Sequence, residues 1–128
     1  MIVGIGIDMI EVDRVAEKIS KPRFREKVFS KNEIDFCESK GANKAQHYAA
    51  RFSAKEAFLK ATGQGMLLSH SFSEIEVTAT QDGQPLIHLT GRLAQVAAEK
   101  KWIVHVTLSH IQSAACAMVA IETNEITA

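Results

Sequence analysis

The first residues of the chain alternate between apolar and small side chains, which predicts a β-strand over residues 2–8. One face of this strand carries three branched apolar side chains, those of Val3, Ile5 and Ile7. The other face carries Gly4, Gly6 and then Asp8. Because glycine has no side chain, another part of the molecule can approach the backbone on that second face.

The hydrophobic pattern of residues 44–62 predicts a long helix, which ends at Gly63. One apolar stripe forms the expected core face, with Ala50, Ala54, Ala57, Phe58 and Ala61. The opposite face is also largely apolar and carries Ala45, Ala49, Phe52, Glu56, Leu59 and Lys60. A face exposed to solvent rarely holds so many apolar side chains. We therefore expect another segment or another subunit to cover it, which would shelter Glu56 and Lys60.

Shorter helices are predicted between the first strand and the long helix. Asp13 is expected to cap the first of them, and Pro22 is expected to end it. Ser30 and Glu33 have the spacing of a capping box, which predicts a second helix that starts near residue 31.

The second half of the chain predicts two hairpins with a helix between them. The first hairpin comprises strands over residues 75–80 and 86–89, and the second comprises strands over 103–109 and 114–121. The helix between the hairpins covers residues 92–100. Antiparallel hairpins combined with separate helices indicate an α+β fold. We expect one domain over residues 1–128, with antiparallel strands and a long central helix.

The composition favours a soluble, cytoplasmic protein. Hydrophobic residues make up 46% of the 128 residues and charged residues 23%. The sequence has neither an apolar run long enough for a membrane span nor the basic start of a signal peptide, so no membrane association is expected. Cys37 and Cys116 lie far apart and outside any metal-ligand spacing, which favours free thiols in a reducing compartment.

The charge is unevenly distributed although the net charge is zero. The segment from Lys18 to Lys31 contains six basic residues and one acid, Glu26. A local basic patch on a neutral protein indicates one acidic partner rather than nucleic acid. The alternative is a solvated helix face, and charge alone does not distinguish the two.

Three charged residues are candidates for chemistry: Asp8, Glu56 and Lys60. From position alone, Asp8 is an N-cap for the next turn, and Glu56 and Lys60 are a surface ion pair at i, i+4 spacing. The apolar surroundings of Glu56 and Lys60 weaken the interpretation as a surface ion pair, because a carboxylate sheltered from water needs a cation nearby. Two carboxylates suit magnesium, which takes few protein ligands and also binds substrate phosphates.

Two further segments are candidates for phosphate or ligand contacts. Gly63 and Gly65 follow the long helix and can expose backbone N–H groups to a phosphate, although these residues alone favour a helix C-cap with a flexible loop. His110 follows Ser109 at the end of a strand, where a ligand contact is plausible. The histidines of the sequence show no zinc spacing.

Several of these segments together resemble holo-[acyl-carrier-protein] synthase, of the 4'-phosphopantetheinyl transferase family. Residues 51–65, RFSAKEAFLKATGQG, form the longest matching motif. The run GIGID at residues 4–8 and the Arg23-Phe24 pair match as well, and so does the Ser109-His110 pair. The matches keep the family's order and extend from Gly4 to about Met118.

The resemblance implies the family's fold, a homotrimer with active sites at subunit interfaces, and an enzyme of fatty acid biosynthesis. It implies Asp8 and Glu56 as magnesium ligands, with manganese as the alternative metal, and Lys60 as a third catalytic residue. Coenzyme A is the expected substrate, and its expected contacts are Arg51, Lys60, Gly63, Gly65, Ser109 and His110. Acyl carrier protein is the expected partner, and its expected contacts are Arg14, Arg23, Phe24 and Lys27.

The expected reaction is attack by a serine hydroxyl of the carrier on the β-phosphate of coenzyme A, which releases 3',5'-ADP. Either Glu56 or a metal-bound water is the general base. Two other hypotheses stay open at this point. One is a transferase of broader specificity, although such enzymes resemble two fused copies of this fold. The other is a carrier-binding module without activity, which leaves the three charged residues without a role.

Overall fold

A computed structural model describes residues 1–63 and 69–124 of the chain. The strands are β1 (Ile2–Glu11), β2 (Ile75–Ala79), β3 (Pro85–Leu89), β4 (Trp102–His110) and β5 (Ala114–Thr123). The helices are α1 (Val12–Ile19), α2 (Pro22–Val28), α3 (Lys31–Glu38), α4 (Lys44–Ala61) and α5 (Gly91–Lys100). Short 3-10 helices cover Gly41–Asn43 and Ser69–Glu74. The predicted α+β class, with antiparallel strands and a long central helix, is confirmed.

The strands form two sheets, of which the larger has the order β1-β5-β4 and the smaller is the β2–β3 hairpin. Every strand pair is antiparallel. In the larger sheet, Asp8 of β1 lies opposite Ala117 of β5, and Ala117 lies opposite Leu108 of β4. Helix α4 packs on one face of this sheet, so the register decides which strand residues lie beside the helix.

The two glycines of β1 allow α4 to lie directly against the strand. A Cβ added to Gly4 would lie 1.8 Å from the carbonyl oxygen of Ala61, and one added to Gly6 would lie 2.1 Å from that of Ala57. The predicted approach to the glycine face is therefore made by α4. The opposite face of β1 is exposed, with Val3, Ile5, Ile7 and Met9 between 48% and 73% accessible.

The second apolar face of α4 is covered by the same chain. Leu59 is buried in a cluster with Ile75 of β2, while Ala49 and Phe52 are buried in a second cluster with Val15 of α1. The predicted cover is thus another segment, and no second subunit is needed to bury these three side chains.

Two predictions on the short helices are wrong. Glu11, not Asp13, occupies the N-cap position of α1, and Asp13 lies in the first helical turn. Pro22 does not end α1, which stops at Ile19; it begins α2 instead. Proline is well suited to a first helical position, because its missing N–H would have no helical partner there. The capping box of Ser30 and Glu33 is confirmed.

A buried ion pair joins α3 to α4. Lys55 and Glu33 are both fully buried, and the Lys55 Nζ lies 2.8 Å from Glu33 Oε1. The same ammonium donates to the carbonyl oxygens of Phe72 and Ile75, while Glu33 Oε2 accepts from the Val77 N–H. The pair therefore fixes the start of β2 against the two helices.

One prediction from composition has a counterpart in the structure. Cys37 and Cys116 are free thiols. No helix within residues 1–63 and 69–124 combines the length and apolar character that a membrane crossing requires.

Candidate active site

The structure brings the three candidate catalytic residues together where β1 meets α4. Lys60 Nζ donates to the Ile7 carbonyl oxygen at 3.0 Å and to Asp8 Oδ1 at 3.3 Å. The Asp8 side chain is 16% exposed and that of Lys60 is 55% exposed. The close packing of α4 on the glycines of β1 thus places a carboxylate beside the last turn of the helix. In this arrangement Asp8 is paired with Lys60 and does not cap α1.

Glu56 completes this group as a half-buried carboxylate. Its pKa is raised, first by burial and then by the negative charge of Asp8, while Lys60 and Lys18 act in the opposite direction. Within the described residues, Glu56 has neither a hydrogen bond nor an ion pair. Two carboxylates that repel each other, one of them without a partner, favour a cation between them.

The donor set fits magnesium. Two carboxylates supply oxygen ligands of the kind that this ion prefers, and the partly open position leaves room for water and a substrate phosphate. Among the described residues no cluster of three or more metal-ligating side chains occurs. Such a cluster is not needed for magnesium, which is usually held by one or two carboxylates together with substrate oxygens.

A second group of predicted residues lines a cavity of about 420 Å³ bounded by α3, α4, the β2–β3 hairpin and the end of β4. Arg51 and His110 both line it. The Arg51 guanidinium carbon lies 4.1 Å from the centre of the Phe36 ring, and its Nε is buried without a hydrogen-bond partner among the described atoms. The cavity is therefore lined by the positive charge of Arg51 beside an aromatic ring.

Sequence reasoning missed two basic side chains of this cavity, those of Lys40 and His47. His47 had been considered only for zinc, although it precedes Arg51 by one helical turn. That i, i+4 spacing was a usable signal, because it places both side chains on one face of α4. Lys40 gave no comparable signal, since it lies in the turn after α3 and reaches the cavity only through the tertiary fold.

The two groups lie on different sides of α4. Arg51 and Glu56 are five residues apart, which corresponds to about 7.5 Å along the helix axis and about 140° around it. Asp8, Glu56 and Lys60 therefore belong to one group, and Arg51 and His110 to another. A single copy of the chain does not bring all five side chains around one point.

The remaining predicted contacts are distributed around these groups. Gly63 has a φ of 74° and its N–H donates to the Lys60 carbonyl oxygen, so it ends α4 as predicted. Ser109 is exposed and neighbours His110 at the end of β4. Gly65 lies outside the described residues.

The predicted carrier contacts are on α1 and α2. Arg14 is exposed and lies beside Asp8 in a surface depression of about 300 Å³. Arg23 and Lys27 are exposed on α2. Phe24 is half-buried, with its ring centre 6.1 Å from that of Phe52. The basic patch thus borders the acidic group on one side.

Comparison with known proteins decides the family. Residues 4–119 match the model of the 4'-phosphopantetheinyl transferase superfamily. The chain belongs to this superfamily. The match covers the strand that carries Asp8, the helix that carries Glu56 and Lys60, and the end of β4.

This transferase is similar to holo-[acyl-carrier-protein] synthases over nearly its whole length. It is 43% identical over 126 residues to that of Syntrophus aciditrophicus (strain SB), which covers 95% of this chain and 97% of the relative. The synthase from Bacillus anthracis str. Ames, solved in complex with CoA (3',5'-ADP), superimposes with a TM-score of 0.81 at 35% identity and covers 97% and 99% of the two chains. The synthase from Neisseria meningitidis gives a TM-score of 0.85 at 27% identity, with 96% and 100% covered.

Proposed function

We propose that this chain transfers the 4'-phosphopantetheine group of coenzyme A to a serine of apo acyl carrier protein and releases 3',5'-ADP. The observation that carries this proposal is the convergence of Asp8, Glu56 and Lys60 at the contact between β1 and α4. The similarity to holo-[acyl-carrier-protein] synthases over 95% of the chain supports it independently. We place the reaction in the cytoplasm and in fatty acid biosynthesis, and the two free thiols agree with a reducing compartment.

Mass spectrometry of an apo acyl carrier protein mixed with this chain, coenzyme A and magnesium tests the function directly. We expect the carrier to gain the mass of one phosphopantetheine group on a serine. A carrier that stays unmodified, while a known synthase modifies it under the same conditions, would remove the proposal.

In this proposal Asp8 and Glu56 hold Mg²⁺, with Mn²⁺ as the alternative. The ion, when bound, neutralises the negative charge that builds up on the pyrophosphate during phosphoryl transfer. Lys60 adds positive charge on the same side, because its ammonium already lies 3.3 Å from Asp8. Either Glu56 or a water molecule beside it is proposed to accept the serine proton.

Coenzyme A is proposed to extend from this acidic group to the cavity that contains Arg51 and His110. Gly63, Gly65 and Ser109 are proposed as further contacts. Because the two groups lie on different sides of α4 in one chain, we propose that the acidic group of one copy faces the cavity of the next. Such an arrangement agrees with active sites at the interfaces of a homotrimer.

The exposed apolar face of β1 supports assembly of several copies. Val3, Ile5, Ile7 and Met9 form a row on one strand, and Met118 lies on the adjacent strand directly opposite Ile7 in the register. A contiguous apolar row of this kind usually marks an interface. The expected trimer contact is thus on the sheet, and not on the second face of α4.

Substitution of Ile5 by lysine is expected to convert the trimer into monomers and to abolish transfer. Ile5 is 66% exposed in the single chain, so the monomer should stay folded while a charge is placed in the contact. Light scattering measures the mass, and circular dichroism measures the fold. Leu86→Lys is the matched control, because Leu86 is also an exposed apolar strand residue but lies on β3. An active monomeric wild-type chain would contradict the prediction.

The basic patch is proposed to receive the acidic carrier protein through Arg14, Arg23, Phe24 and Lys27. Arg23→Glu is expected to raise the KM for the carrier roughly 5- to 30-fold, because reversal of one exposed charge changes binding by about 1–2 kcal/mol. The KM of this variant for coenzyme A should stay within about twofold of the wild-type value. Added salt should reduce the difference in carrier KM between Arg23→Glu and wild type, since exposed charges are screened beyond about 8 Å at physiological ionic strength.

Arg92→Glu is the control for this prediction, because Arg92 is an exposed arginine on α5, away from the patch. If Arg23→Glu and Arg92→Glu have the same effect, or if both KM values rise together, the carrier docks elsewhere.

A further inference from the structure

The cavity beside Arg51 has the chemistry of an anion site. Its lining includes Lys40, His47, Arg51 and His110, and none of its described lining residues is an aspartate or glutamate. Arg51 itself is only 5% exposed, so its charge is held in a weakly hydrated environment. A group with two negative charges would be neutralised here by several cations at once.

His47 and His110 are in direct contact within this cavity. Their ring centres are 5.2 Å apart, with an angle of 63° between the ring planes. His110 Nδ1 lies 2.9 Å from Gln46 Oε1. Because the Gln46 amide oxygen can only accept, Nδ1 of His110 is the donor in this hydrogen bond. The His47 ring also lies against the Phe36 ring at 5.6 Å, which fixes its position.

Each described side chain that acts on His47 electrostatically lowers its pKa. Burial lowers its pKa first, followed by His110 at the end of β4, Arg51 on the same helix and Lys40 after α3. His47 is therefore neutral at neutral pH when the cavity holds no anion. A bound phosphate reverses the sign of the local field and favours the protonated form.

We propose that His47, held against His110 in this cavity, takes up a proton when a phosphate monoester binds there. The inference rests on the proposed function, in which the 3'-phosphate of coenzyme A is the phosphate monoester available to the cavity. His47 is then a binding residue that makes the affinity for coenzyme A depend on pH.

The sign of this dependence follows from linkage. If binding takes up protons, a rise in pH weakens binding, by at most about tenfold per pH unit for each proton taken up. A phosphate monoester itself gains a proton below about pH 6, which weakens its binding at lower pH and so opposes the histidine effect. Measurements between about pH 7 and 8.5 isolate the histidine contribution, because the phosphate is mostly a dianion there.

Isothermal titration calorimetry with coenzyme A, in buffers that differ in ionisation enthalpy, measures the protons taken up. Wild-type protein is expected to take up protons with coenzyme A but not with dephospho-coenzyme A, which lacks the 3'-phosphate. His47→Phe keeps a ring against Phe36 and His110 but cannot bind a proton, and it should reduce both the uptake and the pH dependence. His47→Gln serves as a second, polar variant. His88→Gln is the control, because His88 is exposed on β3 and does not line the cavity.

Two outcomes would overturn the inference while the proposed function stands. One is equal proton uptake with coenzyme A and dephospho-coenzyme A. The other is an unchanged pH dependence in folded His47→Phe and His47→Gln that still transfer phosphopantetheine. Failure of the wild-type chain both to bind coenzyme A and to modify the carrier would instead overturn the proposed function, and this inference with it.

Discussion

Asp8→Asn and Glu56→Gln are each expected to lower the rate of phosphopantetheine transfer by at least about a hundredfold while the protein stays folded. Each change removes one of the two negative charges proposed to hold magnesium and leaves the shape of the side chain almost unchanged. The rate at saturating coenzyme A and carrier should fall, because the missing charge acts mainly on the transition state.

The stability of the two variants separates catalysis from folding. The raised pKa of Glu56 means that its ionised form is disfavoured in the folded chain, so its charge opposes folding above its ordinary pKa. Glu56→Gln removes this repulsion and should leave the unfolding temperature unchanged or slightly higher. Asp8→Asn removes only a partly exposed pair with Lys60, and such pairs contribute little.

Thermal unfolding with and without magnesium provides a readout independent of activity. Wild-type protein should gain stability as magnesium is added, because a ligand that binds only the folded state stabilises it. Both variants should lose this gain. Glu99→Gln is the matched control, since Glu99 is an exposed carboxylate on α5. Near-normal transfer in either Asp8→Asn or Glu56→Gln would contradict the proposed metal site.

Lys55→Met is expected to destabilise the fold by about 3–5 kcal/mol, the usual cost of leaving one buried charge without its partner. The substitution removes the ammonium from Glu33 and also from the carbonyl oxygens of Phe72 and Ile75. A domain of this kind has about 5–15 kcal/mol of total stability. The variant should therefore unfold at a much lower urea concentration than wild type.

Lys60→Met is the matched control for stability, because Lys60 lies on the same helix with its side chain 55% exposed. It should change the free energy of unfolding by less than about 1 kcal/mol. The double variant Glu33→Leu with Lys55→Met should recover part of the loss, since it leaves neither charge buried alone. A loss of less than about 1 kcal/mol in Lys55→Met would show that the pair does not hold α3, α4 and β2 together.

The sequence predicted the elements whose signals are local. The period of α4, its end at Gly63 and the capping box of Ser30 and Glu33 all depend on residues three or four positions apart. The same holds for the hairpins, where a turn sequence joins alternating strands. The start of α2 was missed at Pro22, because proline both ends helices and begins them, and only the surrounding backbone decides which.

The candidate site could be predicted in part for a similar reason. Glu56 and Lys60 share a helix, so their spacing was visible, and Gly4 and Gly6 indicated a close approach to the strand that carries Asp8. The pattern did not reveal what approaches those glycines, nor that Glu33, recognised as a cap, also holds a buried lysine. Glu33 contacts both Ser30, three residues away, and Lys55, which is distant in the sequence. Only the contact with the nearby residue leaves a recognisable sequence pattern.

By itself, then, the sequence determined the periodic elements, the glycine face of β1 and the acid–base pair on α4, because each is set by neighbours within one or two turns. Only the tertiary structure decided that α4 covers the glycines, that the apolar face of β1 stays exposed, and that His47 contacts His110 in a cavity whose described lining has no carboxylate. These features depend on strand register and helix packing. A one-residue shift in register would turn Asp8 and His110 to the opposite face of the sheet, and no local pattern encodes which distant residues would then be in contact.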